Sequence, residues 1–266
     1  MNGKVGLIGI GRMGEALLKG FLQVVGREGL LATDIRAERR RVAEELGVEV
    51  AVGNEALARE VQWVVLAVKP KEAEEVVREI ADGFSEEKVL LSIVAGLKTA
   101  TIHSWLEGKG KVIRAMPNLP LQVFAGAVAL CGGPGVGDGD LQRARELFSS
   151  LGETVVVSEE LMDTVTGLSG SGPAYVALFI EAMAEGGVRM GLGWEEALRL
   201  SAQTVLGTAK MVLGGEHPAL LKGKVASPGG TTVEGLAVLE AWGLRAALIE
   251  AVEAATVRSK ELGSHG

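Results

Sequence analysis

Gly9-Ile10-Gly11-Arg12-Met13-Gly14 limits the fold of this chain more than any other segment. It follows an apolar run, Val5–Ile10, with the character of a β-strand. It opens an amphipathic stretch, from about Met13 to Val25, with helical spacing. Strand, glycine turn and helix in that order is the setting in which such a turn cradles a dinucleotide. Gly9 permits the tight turn, Gly11 lets the backbone approach a pyrophosphate, and Gly14 lets the helix pack closely. The free N–H groups and positive dipole end of the helix then face the phosphates, with Arg12 and Met13 at that helix start. An ordinary glycine-rich turn is the alternative, and the strand and helix signals further along the chain argue against it.

Strands and helices continue to alternate. Leu30–Thr33, Val48–Val52, Trp63–Val68, Val89–Ile93, Val112–Ala115 and Thr154–Val157 have strand character, and Ala37–Leu46 and Lys71–Asp82 have helical character. Such alternation implies a parallel sheet with helices on both faces. Near Ser158–Asp163 the strand signals stop. Long apolar helical stretches then occupy Ala174–Met190, Trp194–Leu213 and Thr231–Leu262, the last with a break near Gly243. The expected fold is therefore α/β: an N-terminal Rossmann-type doubly wound sheet with a C-terminal all-helical domain. Residues 1–160 are expected to bind the dinucleotide, and residues 161–266 to bind substrate and to dimerise.

Charge and composition exclude several classes. The net charge of −7 opposes non-specific nucleic-acid binding. Cys131 is the only cysteine, so no disulfide can form within the chain. His103, His217 and His265 show no ligand spacing, and no metal site is expected. No apolar run approaches the ~20 residues that span a bilayer, and the start of the chain reads as a strand, not a signal peptide. A cytoplasmic protein without membrane or nucleic-acid partners is the expectation.

Asp34 ends the second strand, about 20 residues beyond the last glycine of the turn. An acid there bonds a ribose 2′-hydroxyl and favours NADH, whereas a neighbouring arginine favours the 2′-phosphate of NADPH. Arg36, Arg39 and Arg40 lie close behind, so the two signals conflict and both cofactors remain open. Ala67-Val68-Lys69-Pro70 ends another strand at the sheet edge where ligands of doubly wound folds bind. Lys69 is there either to attract an anionic substrate or as a surface lysine before a helix-starting proline. Asn54 is a cofactor candidate or a helix N-cap before Glu55. Asn118 is placed to bond a nicotinamide carboxamide, a pocket backbone group, or nothing beyond its own turn. Ser227-Pro228-Gly229-Gly230-Thr231-Thr232 bends the chain and brings hydroxyls and free N–H groups to a helix start. That combination suits a small carboxylate, and a simple threonine cap is the bland alternative. Ser169-Gly170-Ser171-Gly172-Pro173 lacks the Gly-x-Ser-x-Gly spacing of a hydrolase nucleophile.

Several of these segments together resemble one family. The matching pieces are Gly9–Gly14, Asn54, Val65-Leu66-Ala67-Val68-Lys69-Pro70, Ser92-Ile93-Val94-Ala95-Gly96, Arg114-Ala115-Met116-Pro117-Asn118, Leu168-Ser169-Gly170-Ser171-Gly172-Pro173-Ala174-Tyr175 and Ser227–Thr232. They run almost end to end, the last two are the most specific, and the chain resembles the pyrroline-5-carboxylate reductases. Two positions depart from that pattern: Leu119 stands where the family has threonine, and Lys224 where it has an acid before Val225. The resemblance implies hydride transfer from NADPH or NADH to a cyclic imine, 1-pyrroline-5-carboxylate, giving L-proline. It places Ala67–Pro70 and Asn54 beside the nicotinamide and ribose. It assigns the substrate carboxylate to Ser227, Gly230, Thr231 and Thr232, with Thr232 and Lys69 as the residues acting at the reacting molecule. It also implies homodimers that stack into larger rings. A reductase for another imine or hydroxy acid, and a non-catalytic dinucleotide sensor, are the competing readings. A protonated imine is already electrophilic, which fits a chain without a His–Asp or Cys–His pair.

Overall fold

A computed structural model of the chain describes residues 3–264. Met1 and His265, which entered the readings of the N-terminus and of the histidines, lie outside the described residues.

Among the described residues eight strands form one sheet. In chain order they are β1 (Val5–Ile8), β2 (Leu30–Thr33), β3 (Glu49–Val50), β4 (Trp63–Leu66), β5 (Val89–Ser92), β6 (Lys111–Pro117), β7 (Gly126–Gly132) and β8 (Gly152–Val156). Their order in space is β3-β2-β1-β4-β5-β6-β7-β8. Every residue of β1, β2, β4 and β5 is buried. Helices covering both faces account for this, since they turn the strands into continuous apolar runs rather than alternating ones.

Helices α1 (Arg12–Val25), α2 (Ala37–Glu45), α3 (Asn54–Glu60), α4 (Pro70–Ile80), α5 (Thr99–Trp105) and α6 (Asp138–Phe148) connect the strands. On one face Leu17 and Phe21 of α1 and Leu147 and Phe148 of α6 pack on Leu7, Leu30, Trp63 and Leu130. Phe21 and Phe148 meet edge to face with centroids 5.6 Å apart, worth about 0.5–1.5 kcal/mol beyond their burial. On the other face Leu57, Val77 and Ile102, from α3, α4 and α5, pack on Ile8, Leu31, Val64 and Val112.

The sheet is not wholly parallel, which corrects the sequence expectation. β6 and β7 pair antiparallel, with Ala115 opposite Leu130. Only residues 118–125 join them, with a 3₁₀ turn at Leu119–Val123 and Phe124 in the left-handed region at φ 56°. A connection that short cannot carry the crossover that a parallel pair requires. β7 itself was not expected from sequence, nor were α5 and α6.

Beyond Val156 every described element is helical: a 3₁₀ turn at Glu159–Leu161, α7 (Met162–Val165), a π-turn at Thr166–Gly170, α8 (Gly172–Arg189), α9 (Trp194–Leu213), α10 (Pro218–Val225), α11 (Thr231–Ala241) and α12 (Leu244–Ser264). By compactness the described chain divides into two units, residues 3–170 with 254–264, and residues 171–253. Residues 157–170 stay with the sheet because Met162 packs on Ala129 and Cys131, with Val157 and Val165 around it. The end of α12 joins them, where the Ser259 hydroxyl donates to Asp163 Oδ1 at 2.7 Å.

The second unit, taken alone, buries little. Ala184, Ala197, Ser201 and Leu221 are its buried side chains among the described residues, while Met190 and Trp242 are 87% and 85% exposed. No described helix is long and apolar enough to cross a membrane.

Candidate cofactor cleft and helix-start site

β1 and β4 are neighbours, with Ile8 opposite Leu66. From β1 the chain turns towards β2 on one side, and from β4 towards β5 on the other. Ligands of doubly wound sheets bind at this switch point. A cleft of about 380 Å³ lies there. It gathers Gly9, Gly11, Asp34, Arg36, Asn54, Ala67, Val68 and Lys69, all expected from the sequence.

The three glycines act in distinct ways. Gly9 has φ 96°, and a Cβ there would lie 2.6 Å from the Ala67 carbonyl oxygen. Gly14 is tighter, since its Cβ would lie 2.0 Å from the Gly9 oxygen. Gly11 faces open space, with nothing within 4 Å of a Cβ, and it is the N-cap of α1. The N–H groups of Arg12 and Met13 stand at the first positions of α1, where no helical carbonyl can reach them. A left-handed glycine, an open glycine and unpaired N–H groups at a 14-residue helix fit a pyrophosphate.

Asp34 is buried, and its carboxylate is already engaged. Oδ2 accepts the Ile10 N–H at 2.7 Å, and Oδ1 accepts the Arg36 N–H at 2.9 Å and Arg36 Nε at 3.3 Å. Burial pushes the Asp34 carboxyl up, but hydrogen bonds from the N–H groups of Arg36 and Ile10 outweigh it and hold the carboxyl below its ordinary value. Any ribose hydroxyl would share oxygens with backbone N–H groups. Arg39 donates to the Ile10 carbonyl and pairs with Glu15 at 2.8 Å. Arg40 donates to the carbonyls of Asp34 and Ile35.

Asn54 lines the cleft but is not an N-cap. Gly53 holds that position, and the Asn54 amide donates to Glu79 Oε2 at 2.7 Å. Lys69 is exposed, serves as N-cap residue of α4 without a side-chain cap bond, and is succeeded by Pro70 at the first helical turn. Pro70 itself is not part of the cleft wall. Of the alternatives for Asn118, the structure shows bonds to backbone. Its amide donates to the Ser169 carbonyl at 3.1 Å and accepts the Ala127 N–H at 2.8 Å, so it bonds backbone. Leu119, beside it, is half exposed.

The cleft also holds residues that the sequence did not single out. Glu72, Glu75, Val76 and Glu79 form one wall. Their spacing of three and four is one face of α4, but three acids among them read as a solvated helix.

In the second unit, Gly230 is the N-cap of α11, which corrects the threonine-cap alternative. Gly229 is left-handed at φ 66°, and the Gly230 N–H donates to the Ser227 carbonyl at 2.9 Å. A Cβ on Gly230 would lie 2.4 Å from Ser227 Oγ, so a side chain there would push that hydroxyl out of its place. The N–H groups of Thr231 and Thr232 stand free at the helix start. Lys224, the family departure, pairs with Glu216 at 2.6 Å.

Burial pushes the Cys131 thiol up to about 11, which makes it inert as a nucleophile at neutral pH. Among the described residues no group of three His, Cys, Asp or Glu is placed to hold a metal ion.

Comparison with known proteins agrees along the whole chain. Residues 159–262 match the family described as pyrroline-5-carboxylate reductase dimerisation. Residues 4–96 match the family described as NADP oxidoreductase, coenzyme F420-dependent. The chain is 43% identical over 266 residues to a pyrroline-5-carboxylate reductase of Methanosarcina acetivorans, covering 98% of each. A solved pyrroline-5-carboxylate reductase from Coxiella burnetii superposes with TM-score 0.94 at 35% identity, covering 98% of this chain and 99% of that one. The Plasmodium falciparum pyrroline carboxylate reductase, solved with NADP bound, superposes with TM-score 0.84 at 34% identity, covering 98% of each.

Proposed function

The chain belongs to the pyrroline-5-carboxylate reductase family, and on that premise we propose how its residues divide the reaction among them. It is an NAD(P)H-dependent oxidoreductase of proline biosynthesis that reduces the cyclic imine 1-pyrroline-5-carboxylate to L-proline. The observation that carries the assignment is the cradle after β1: a left-handed Gly9, an open Gly11 and unpaired N–H groups at the start of α1.

A nicotinamide held in the cleft would supply the hydride. The chain's own part is binding and orientation. Gly11, Arg12 and Met13 take the pyrophosphate on their N–H groups. Asn54, Ala67 and Val68 line the remainder of the cleft. Ser227, Gly230, Thr231 and Thr232 hold the substrate carboxylate through hydroxyls and helix-start N–H groups, with the α11 dipole behind them. Lys69, exposed at the cleft, adds a positive charge that draws an anionic substrate. Residues 1–160 serve as the dinucleotide-binding domain and 161–266 as the substrate-binding and dimerisation domain; the family matches at 4–96 and 159–262 support that division. The proposed location is the cytoplasm.

The test is direct. Purified protein given pyrroline-5-carboxylate should consume NADPH or NADH and yield L-proline. Folded protein without substrate-dependent turnover on either nucleotide would refute the assignment.

The match to the dimerisation family supports oligomerisation. The finer reading is a homodimer, or a ring of such dimers. Leu178, Met190, Leu213 and Trp242 are exposed on a unit with almost no core of its own, and a second copy covers such faces. Light scattering at micromolar concentration should give a dimer or a multiple of it, and a monomer would contradict this.

A further inference from the structure

The peptide groups around Ile10 are pinned by two charged side chains from outside the glycine turn. Asp34, just past β2, accepts the Ile10 N–H at 2.7 Å. Arg39, on α2, donates through Nε to the Ile10 carbonyl and through Nη2 to the Gly11 carbonyl at 3.4 Å. Glu15 of α1 holds the same guanidinium at 2.8 Å. The Ile10 side chain is fully buried in the core.

A trans peptide is planar, with its C=O and N–H pointing in opposite directions. Fixing one end of the unit therefore aims the other. The Ile10 carbonyl shares its peptide with the Gly11 N–H, and the Gly11 carbonyl shares its peptide with the Arg12 N–H. By holding both carbonyls, Arg39 turns both N–H groups away from itself, and one of them is on the residue that faces open space. The Ile10 N–H shares its peptide with the Gly9 carbonyl, the oxygen against which Gly14 is packed. Asp34 thereby fixes the third plane.

We propose that Asp34 and Arg39 are positioning residues that clamp three successive peptide planes of the turn, and so hold its N–H donors ready for the cofactor phosphates. The clamp serves NADH and NADPH alike, because both carry the pyrophosphate. It rests on the assignment of the cleft to the dinucleotide, and it changes what Asp34 is expected to do. An acid that reads the ribose would discriminate between the cofactors; an acid that holds the turn would not.

The experiment uses the full-length protein with Asp34→Asn, Arg39→Met and Arg39→Lys. Cofactor affinity is measured by nucleotide fluorescence, and KM and kcat with saturating imine. Asp34→Asn should weaken NADH and NADPH together, by about tenfold, as expected for lost hydrogen bonds to a charged group. Arg39→Met should raise the KM for both nucleotides by about tenfold and leave kcat within about twofold. Arg39→Lys, which still reaches a carbonyl, should recover part of the loss. A merely structural arginine would instead lower the active fraction, and with it kcat, at unchanged KM, and that result would overturn the clamp. So would an Asp34→Asn protein that gains NADPH affinity while NADH is unaffected. Wild-type protein that binds neither nucleotide would overturn the cleft assignment and the clamp together, whereas tight wild-type binding with unaffected variants overturns the clamp alone.

Discussion

Gly14→Ala should abolish useful cofactor binding, with affinity for NADH and NADPH falling at least about a hundredfold. The new methyl would lie 2.0 Å from the Gly9 carbonyl oxygen and 3.0 Å from its carbon. Both are backbone atoms, so no side chain can rotate out of the way. Relief requires α1 to move away from the turn by about 1 Å, which takes the N–H groups of Arg12 and Met13 with it. Overpacking of this kind costs about 1–3 kcal/mol, and the melting temperature of a chain this long should fall by about 2–12 °C. Gly11→Ala is the control. Gly11 has φ −69°, an ordinary value, and open space around it. Its methyl should leave stability unchanged and weaken only the cofactor. Calorimetry and nucleotide titration on both variants separate packing from ligand approach. A Gly14→Ala protein with wild-type affinity would show that the turn does not need this contact.

These two glycines also mark how far local sequence reaches. The roles of Gly9, Gly11 and Gly14 come from their spacing between a strand and a helix, and that local pattern leaves little freedom. The early strands were legible for the same reason, since Val5–Ile8, Leu30–Thr33 and Trp63–Leu66 are short apolar runs separated by amphipathic helices. β7 was not, because Gly126-Ala127-Val128-Ala129-Leu130-Cys131-Gly132 is dominated by small residues with weak strand preference. Its antiparallel pairing depends on the length of the 118–125 connection, which has meaning only once β7 is known to exist.

The candidate site divides along the same line. Positions that a local motif fixes, such as Gly11 and Lys69 at the cleft and the Gly229–Thr232 turn at the start of α11, could be located from sequence, and what they bind is a proposal. Partners drawn from distant parts of the chain could not be located that way. Asp34 stands where the ribose rule puts an acid, and its oxygens already accept the N–H groups of Ile10 and Arg36, which any ribose hydroxyl would have to share. Asn118 sits in a family motif, yet its amide ties Ser169 to Ala127. A side chain's chemistry can be read from its type, whereas the competition for its hydrogen bonds is settled by tertiary packing.

Thr232→Val should reduce kcat/KM for the imine by roughly ten- to a hundredfold. Valine keeps the branched shape and removes the hydroxyl alone. Thr232 is partly buried at the second position of α11, behind a left-handed Gly229 and a capping Gly230 that make no side-chain bond to the helix. Its hydroxyl and N–H, with the N–H of Thr231, are the donors this turn offers to a carboxylate. A hydrogen bond to a charged acceptor is worth roughly 1.5–3 kcal/mol, which sets the size of the loss. Backbone donors remain in the variant, so activity should fall without vanishing. NADPH and NADH affinity should stay near wild type, because the glycine turn belongs to the other compact unit. Equal loss of nucleotide affinity would point to a damaged fold, which circular dichroism would reveal. A folded Thr232→Val protein with unchanged kcat/KM would move the carboxylate away from this hydroxyl, and Lys69 would then be the residue to replace.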